Sequence, residues 1–148
     1  MNDLEAFLDS MLPTLEAADT ALHNGDATVR AALWSRTDPV TLFGAAVTTS
    51  GWEKIGSTFD WLASRFSKCT AFTYEVVAAG VSGDLAYIVG VEHTTASIGD
   101  DPPAEYALRV TTILRREAGE WRVVHRHGDP YDASSADLVG RLDAQASP

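Results

Sequence analysis

The chain contains 148 residues, with 21 Asp and Glu against 11 Lys and Arg, so its formal net charge at pH 7 is -10. Because a strongly acidic protein repels phosphate groups, we expect neither nucleic acid nor an anionic membrane surface as a partner. The single cysteine, Cys69, cannot form an internal disulfide, and the acidic N-terminal segment does not resemble a secretory signal. With no apolar run near the roughly 18 residues of a membrane span, we predict a single cytoplasmic domain over residues 1–148.

The first third of the chain is predicted to be helical. Apolar residues recur at three- and four-residue steps from Leu4 to Leu22, which indicates an amphipathic helix. Pro13 lies inside this stripe, and we expect it to kink the helix or divide it in two. The segment Asn24–Asp26 ends the helix, and a short second helix is predicted from Ala27 to about Trp34.

The rest of the chain is predicted to be mostly strands. Val40–Gly44 forms a short strand, and Ser50 or Gly51 begins a third helix that ends near Phe66. Four strands are predicted after Lys68, at Phe72–Ala79, Leu85–Ser97, Glu105–Glu117 and Trp121–Gly128. Residues 131–148 are expected to form a tail that frays or holds one or two helical turns. Helices followed by antiparallel strands with short turns predict an α+β fold.

Neither of the two longest predicted strands has a fully polar face. Along the first of them, Tyr87, Val89 and Val91 alternate with Ala86, Ile88 and Gly90. Both faces of the sheet are therefore expected to be covered. Since the helices can cover only one face, the other is expected to meet a second copy of the chain, which predicts a homodimer formed through the sheet.

Several segments together resemble the SnoaL-like branch of the nuclear-transport-factor-2-like superfamily. They are Gly25-Asp26, Phe43-Gly44, Gly83–Tyr87, Arg109–Thr111, Arg115–Glu117 and Trp121–His127. The resemblance covers about residues 5–130, the expected core of the domain. It implies a cone in which a strongly curved, mostly antiparallel sheet wraps around the N-terminal helices and leaves a cavity at its open end. The final strand is also similar to that of the association domain of calcium/calmodulin-dependent kinase II, which has His-x-His after a Trp.

Relatives in this superfamily include isomerases, polyketide cyclases, dehydratases, epoxide hydrolases and non-catalytic assembly domains, so the fold alone does not define a reaction. Ketosteroid isomerases of this fold carry a tyrosine in the first helix, where this chain has Ala18. Their general base is an Asp just after the first strand, where this chain has Phe43-Gly44-Ala45. Without these two groups, steroid isomerisation by that mechanism is not expected.

Arg109 and Glu92 are the first candidate pair. The resemblance implies that their strand faces point into the cavity, with Thr111 beside Arg109 on the same face. Arg109 would then offer a planar guanidinium to a ligand carboxylate, to an enolate or to Glu92 itself. A structural ion pair at the sheet edge is the alternative, and the bulkier residues that alternate with Arg109 favour the opposite face as the inner one.

His125 and His127 are candidate acid–base residues because imidazole titrates near neutral pH. Their spacing on a strand places both on one face, together with Trp121. The same spacing could hold a metal with Asp129 or His93 as a third ligand, but the sequence fixes no third ligand, and we predict no metal. The alternative for His127 is a structural hydrogen bond to the backbone.

Trp34, Trp61 and Tyr74 are predicted to line the cavity, although aromatic residues at helical spacing are more often core. His23 is interpreted as part of a helix cap.

These residues predict binding of a small apolar molecule with an anionic or carbonyl group, without a cofactor. If the protein is catalytic, the expected chemistry is acid–base catalysis of the isomerase, cyclase or dehydratase type, with His127 or Glu92 as the base. The alternative is a non-catalytic oligomerisation module with a vestigial cavity.

Overall fold

Four helices and six strands follow one another along residues 1–146, the part of the chain that the computed structural model describes. The helices are α1 (Asp3–Leu22), α2 (Thr28–Leu33), α3 (Trp52–Arg65) and α4 (Ala133–Ala146). The strands are β1 (Thr41–Phe43), β2 (Thr48–Ser50), β3 (Phe66–Ser82), β4 (Leu85–Ile98), β5 (Ala104–Glu117) and β6 (Glu120–Pro130). The predicted α+β class is confirmed, and residues 147 and 148 of the predicted domain lie outside the described part.

All six strands form one curled, unclosed sheet in the order β2-β1-β6-β5-β4-β3. Neighbouring strands are antiparallel except β1 and β6, which are parallel. The short hairpin of β1 and β2 therefore adds to the sheet beside β6, the last long strand. This mostly antiparallel, curved sheet agrees with the predicted architecture.

The helix α1 continues through Pro13 instead of dividing there. Phe7 and Met11 before the proline and Leu15 and Leu22 after it are buried in the same apolar cluster. Packing of this one stripe outweighs the single backbone hydrogen bond that the proline removes. α1 packs against β3, α2 and α3, so the helices cover the concave face of the sheet.

The segment after Pro130 forms the 14-residue helix α4 rather than a frayed tail. The Asp132 carboxylate accepts a hydrogen bond from the Ser135 N–H at 2.8 Å, which caps the first turn. Ser135 in turn accepts a hydrogen bond from the Ala107 N–H at 2.9 Å and joins the helix to β5. Val139 and Leu142 then pack with Phe66 and Tyr106 over the open end of the sheet.

Candidate functional site

An apolar cavity of about 60 Å³ lies between the helices and the concave face of the sheet, beneath α4. Its walls include Leu42, Phe59, Leu62, Leu108, Val139 and Leu142. Four ionisable side chains line it as well: His23, Arg30, Tyr106 and Arg126. A mostly apolar cavity with a few convergent polar groups is the usual form of a small-molecule site.

Arg126 on β6 and Glu92 on β4 form a buried, bidentate ion pair. Nη1 and Nη2 of Arg126 donate to Oε2 and Oε1 of Glu92, each at 2.7 Å. The two side chains are 13% and 3% exposed. Burial lowers the pKa of Arg126, but the charge and hydrogen bonds of Glu92 outweigh it and raise that pKa above its ordinary value. The guanidinium is therefore charged at every relevant pH.

A second buried ion pair joins the first two helices. Nη2 of Arg30 on α2 donates to Oδ1 of Asp19 on α1, and the two side chains are 8% and 4% exposed. The guanidinium carbon of Arg30 also lies 5.4 Å from the centre of the Phe59 ring. Arg30 and Arg126 line both the cavity and an adjoining smaller space of about 20 Å³, whereas Asp19 and Glu92 line only the smaller space.

His23 and Tyr106 are joined by a short hydrogen bond of 2.5 Å between Nε2 and the phenol oxygen. The other ring nitrogen, Nδ1, lies 2.7 Å from the carbonyl oxygen of Asp19. Because a carbonyl only accepts, the network assigns the ring hydrogen to Nδ1, so Nε2 accepts from the Tyr106 hydroxyl.

Both members of this pair are neutral at pH 7. Burial, together with the charges of Arg30 and Arg126, lowers the pKa of His23 to about 4, against the opposing effects of Asp19 and Glu92. Burial also raises the pKa of Tyr106, and the charges of Glu92 and Asp19 add to the effect. The cavity thus presents two cations and one neutral imidazole–phenol pair.

Glu92 lies on the concave face, as expected, but Arg109 and Thr111 do not. The register of β4 and β5 pairs Glu92 with Leu108 and Val91 with Arg109. Paired residues of an antiparallel sheet share a face, so Leu108 lies inside while the Arg109 side chain is exposed outside. The bulkier residues that alternate with Arg109 thus correctly indicated the inner face of β5. The expected cavity position of Arg109 and Thr111 was wrong.

His125 and His127 also lie on the convex face, not on the face of Trp121. The β5–β6 register shifts between Ile113 and Leu114, leaving Val124 as an extra residue in β6. Such a bulge reverses the alternation, so Trp121 stays inside while Arg126 replaces the histidines there.

On the outer face, each histidine has a local partner. His125 shares a 2.7 Å hydrogen bond with the Thr41 hydroxyl, and burial lowers the pKa of this imidazole. His127 lies 3.4 Å from Asp129, and the Phe43 ring packs edge-on against both imidazoles.

The three predicted aromatic residues are divided between the core and the smaller space. Trp34 is buried, packs edge-on against Phe59 at 5.3 Å and lines the 20 Å³ space with Tyr74. Trp61 is half-buried and packs on the apolar cluster that includes Val139 and Leu142. None of the three is among the residues that line the larger cavity.

The sequence interpretation missed most of the polar groups of the cavity. His23 does end α1, as expected of a cap residue, but its imidazole is buried against Tyr106. The available signal was the position of Asp19 and His23, which lie four residues apart beside the apolar stripe of α1. No comparable signal identifies Arg126, since its orientation depends on the bulge.

Among the side chains of residues 1–142, no group of three or more His, Cys, Asp or Glu residues is placed to hold a metal ion. In the same part of the chain, no helix combines the length and apolar character of a membrane span.

Several solved structures have the same fold, and the alignments with this chain cover most of their length. A provisional dehydratase of the NTF2-like family from Streptomyces avermitilis aligns with a TM-score of 0.66 and 16% identity, over 87% of this chain and 99% of that one. A provisional ketosteroid isomerase from Parabacteroides distasonis aligns with a TM-score of 0.62 and 15% identity, over 81% of this chain and 86% of that one. A provisional Ca/calmodulin-dependent kinase II association domain from Exiguobacterium sibiricum aligns with a TM-score of 0.63 and 12% identity, over 89% of this chain and 98% of that one.

No curated protein is significantly similar in sequence to the chain. The profile of the SnoaL-like domain family, in contrast, matches residues 12–131, which span α1 to β6 and so contain every ionisable group of the cavity. The chain belongs to the SnoaL-like domain family.

Proposed function

We propose that the chain binds a small apolar molecule with an anionic or carbonyl group, and that Arg126 is its anchor. The observation that supports this is the placement of two guanidinium groups on an apolar cavity that their carboxylate partners do not line. Arg126 uses two of its five N–H donors on Glu92, and Arg30 uses one on Asp19. We assign the remaining donors to a carboxylate or carbonyl oxygen of the ligand.

Electrostatics favour an anionic or strongly polarised group. The two ion pairs carry no net charge, and the His23–Tyr106 pair is neutral, so the cluster holds no excess negative charge to repel an anion. The two cations line the cavity and the two carboxylates do not. In surroundings with little water, this arrangement makes the cavity more positive than the adjoining space, which all four groups line.

The cavity volume limits the size of the ligand. About 60 Å³ accommodates roughly four to six water molecules, well below the space of a drug-sized pocket. A five-membered ring with one carboxylate or carbonyl group is a suitable probe. Larger ligands would have to displace Val139 and Leu142 of α4.

The first experiment is a calorimetric titration of cyclopentanecarboxylate and cyclopentanone into the wild type, Arg126→Lys and Arg109→Lys. Lysine keeps the charge but loses the planar fork of arginine. We expect Arg126→Lys to weaken carboxylate binding by about tenfold or more, and Arg109→Lys to leave it unchanged, since Arg109 lies on the convex face. Equal affinity of the wild type and Arg126→Lys would contradict the proposed anchor.

A homodimer through the convex face is the second part of the proposal. Directly paired residues form a row across five strands: Phe43, His127, Thr111, Val89 and Ala78. This row contains no carboxylate, although the chain carries a net charge of -10. Val77 and Tyr87 nearby are 65% and 45% exposed. A row without carboxylates, with Phe43, Val89 and Ala78 as its apolar members, is a surface on which two such acidic chains could associate.

Val89→Lys places a charge at the centre of this row and is expected to convert the dimer to a monomer. Light scattering coupled to size exclusion would measure the mass at several protein concentrations. Ser57→Lys, on the exposed side of α3, is the matched control and should remain dimeric. A wild type that is monomeric at 100 µM would exclude this interface.

A further inference from the structure

The His23–Tyr106 pair is placed where a reacting proton would be needed. Both side chains are buried, both line the cavity, and 2.5 Å separates Nε2 from the phenol oxygen. The chain brings them together from distant positions, because His23 ends α1 and Tyr106 lies on β5. The phenol oxygen donates to Nε2, which leaves its lone pairs as acceptors, and we assign one of them to the ligand.

We infer that His23 and Tyr106 form the proton-transfer pair of this cavity, acting on a small ketone with an α-hydrogen; the inference rests on the proposed function. In the forward step, the α C–H bond of the ketone breaks and its electron pair forms the enolate. Tyr106 takes up that proton on its oxygen while its own proton passes to Nε2 of His23. In D₂O the hydrogens held by the pair exchange with the solvent before the reverse transfer, which then places deuterium on carbon; no other reactant is consumed.

The charges around the pair favour the negative charge that this step creates on the ligand. The enolate oxygen develops beside the guanidinium groups of Arg30 and Arg126. The positive charge develops on His23, where the hydrogen bond from Nδ1–H to the Asp19 carbonyl stabilises it, while burial and the two guanidinium groups oppose it. Groups already oriented toward developing charge are a major source of catalysis, because they need not reorganise during the reaction.

The two bases predicted from the sequence are less well placed for this role. Both carboxylate oxygens of Glu92 accept hydrogen bonds from Arg126, so neither is free to take up a proton from a ligand. His127 lies on the convex face beside Asp129, with the sheet between it and the cavity. His23 is neutral at pH 7, and its accepting nitrogen is directed at a cavity-lining hydroxyl.

Exchange of the α-hydrogens of cyclopentanone for deuterium in D₂O, followed by proton NMR, tests the inference. The wild type should accelerate exchange above the buffer rate. Tyr106→Phe and His23→Gln should lower this acceleration by about 100-fold, within the usual contribution of general acid–base catalysis. His93→Gln is the matched control and should retain the wild-type rate, since His93 is 36% exposed and lies on the convex face.

The pH dependence of the wild-type rate provides a test that needs no variant to fold. Because the pKa of His23 is lowered to about 4, the rate should stay constant from pH 8 to pH 5 and fall only near pH 4. A fall centred near 6.5 would assign the base to another histidine and overturn the inference. A purely structural histidine–tyrosine contact would produce no acceleration at all.

Binding titrations separate the two possible failures. If cyclopentanone binds the wild type but its exchange is not accelerated, the proton-transfer inference is wrong and the binding proposal stands. If neither cyclopentanone nor cyclopentanecarboxylate binds, the proposed function is wrong and the inference is wrong with it. Equal exchange rates for folded Tyr106→Phe and the wild type would also overturn the inference.

Discussion

Replacement of Arg126 by methionine is expected to lower the free energy of unfolding by about 3–5 kcal/mol, the typical cost of breaking a buried ion pair by removing one partner. Glu92 is 3% exposed and accepts two hydrogen bonds from Arg126. Without the guanidinium, the carboxylate either keeps an uncompensated charge in apolar surroundings or takes up a proton at a cost in free energy. Urea unfolding at pH 7 measures the difference.

The double variant Arg126→Met, Glu92→Met distinguishes the loss of a partner from the loss of packing. Removing both charges should recover most of the lost stability, because a buried pair and an apolar replacement of similar volume are often nearly equal. Arg109→Met is the matched control on the exposed face, with an expected change within about 0.5 kcal/mol. If Arg126→Met costs no more than Arg109→Met, Glu92 is not desolvated as described.

Stability is expected to fall as the pH is lowered from 7 to 4, with His23 contributing about 3 kcal/mol. The pKa of this imidazole is about 4 in the folded protein, against 6.5 in the unfolded chain. Between these values the unfolded chain binds a proton that the folded protein does not, so acid favours unfolding. The difference between the two pKa values, at 1.36 kcal/mol for each unit, gives the size of this loss of stability. The loss is absent above about pH 6.5 and complete below about pH 4.

His23→Gln removes this titration and isolates it from the carboxylates that also respond to acid. The free energy of unfolding of the variant should depend less steeply on pH between 4 and 6.5 than that of the wild type. His93→Gln is the control, since His93 is 36% exposed and lies on the convex face. Parallel curves for the wild type and His23→Gln would show that the imidazole is not buried in its neutral form.

The order of elements was predictable because each long element has a clear local pattern. The apolar stripe from Leu4 to Leu22 and the alternation along Leu85–Ser97 correspond to α1 and β4 with small errors at the ends. Short elements were harder to predict. The three-residue strand β2 (Thr48–Ser50) depends on pairing with β1, and α4 depends on packing of Val139 and Leu142 against the sheet. Neither interaction is visible in a local pattern.

The face on which each side chain lies was the main limit to predicting the site. Glu92 lies on the concave face, yet the β4–β5 register sets Arg109 opposite Val91 and outside the cavity. One extra residue, Val124, moves His125 and His127 outward and Arg126 inward. A single-residue change in register reverses every side chain of a strand, and the sequence carries no strong local signal for it.

The titration of cyclopentanecarboxylate into Arg126→Lys and Arg109→Lys decides on which face of the sheet the ligand binds, because the two arginines lie on opposite faces. We expect the affinity to fall by about tenfold or more in Arg126→Lys and to stay at the wild-type value in Arg109→Lys. Loss of binding in Arg109→Lys, with Arg126→Lys unaffected, would place the ligand on the convex face and contradict the role of Arg126 as its anchor.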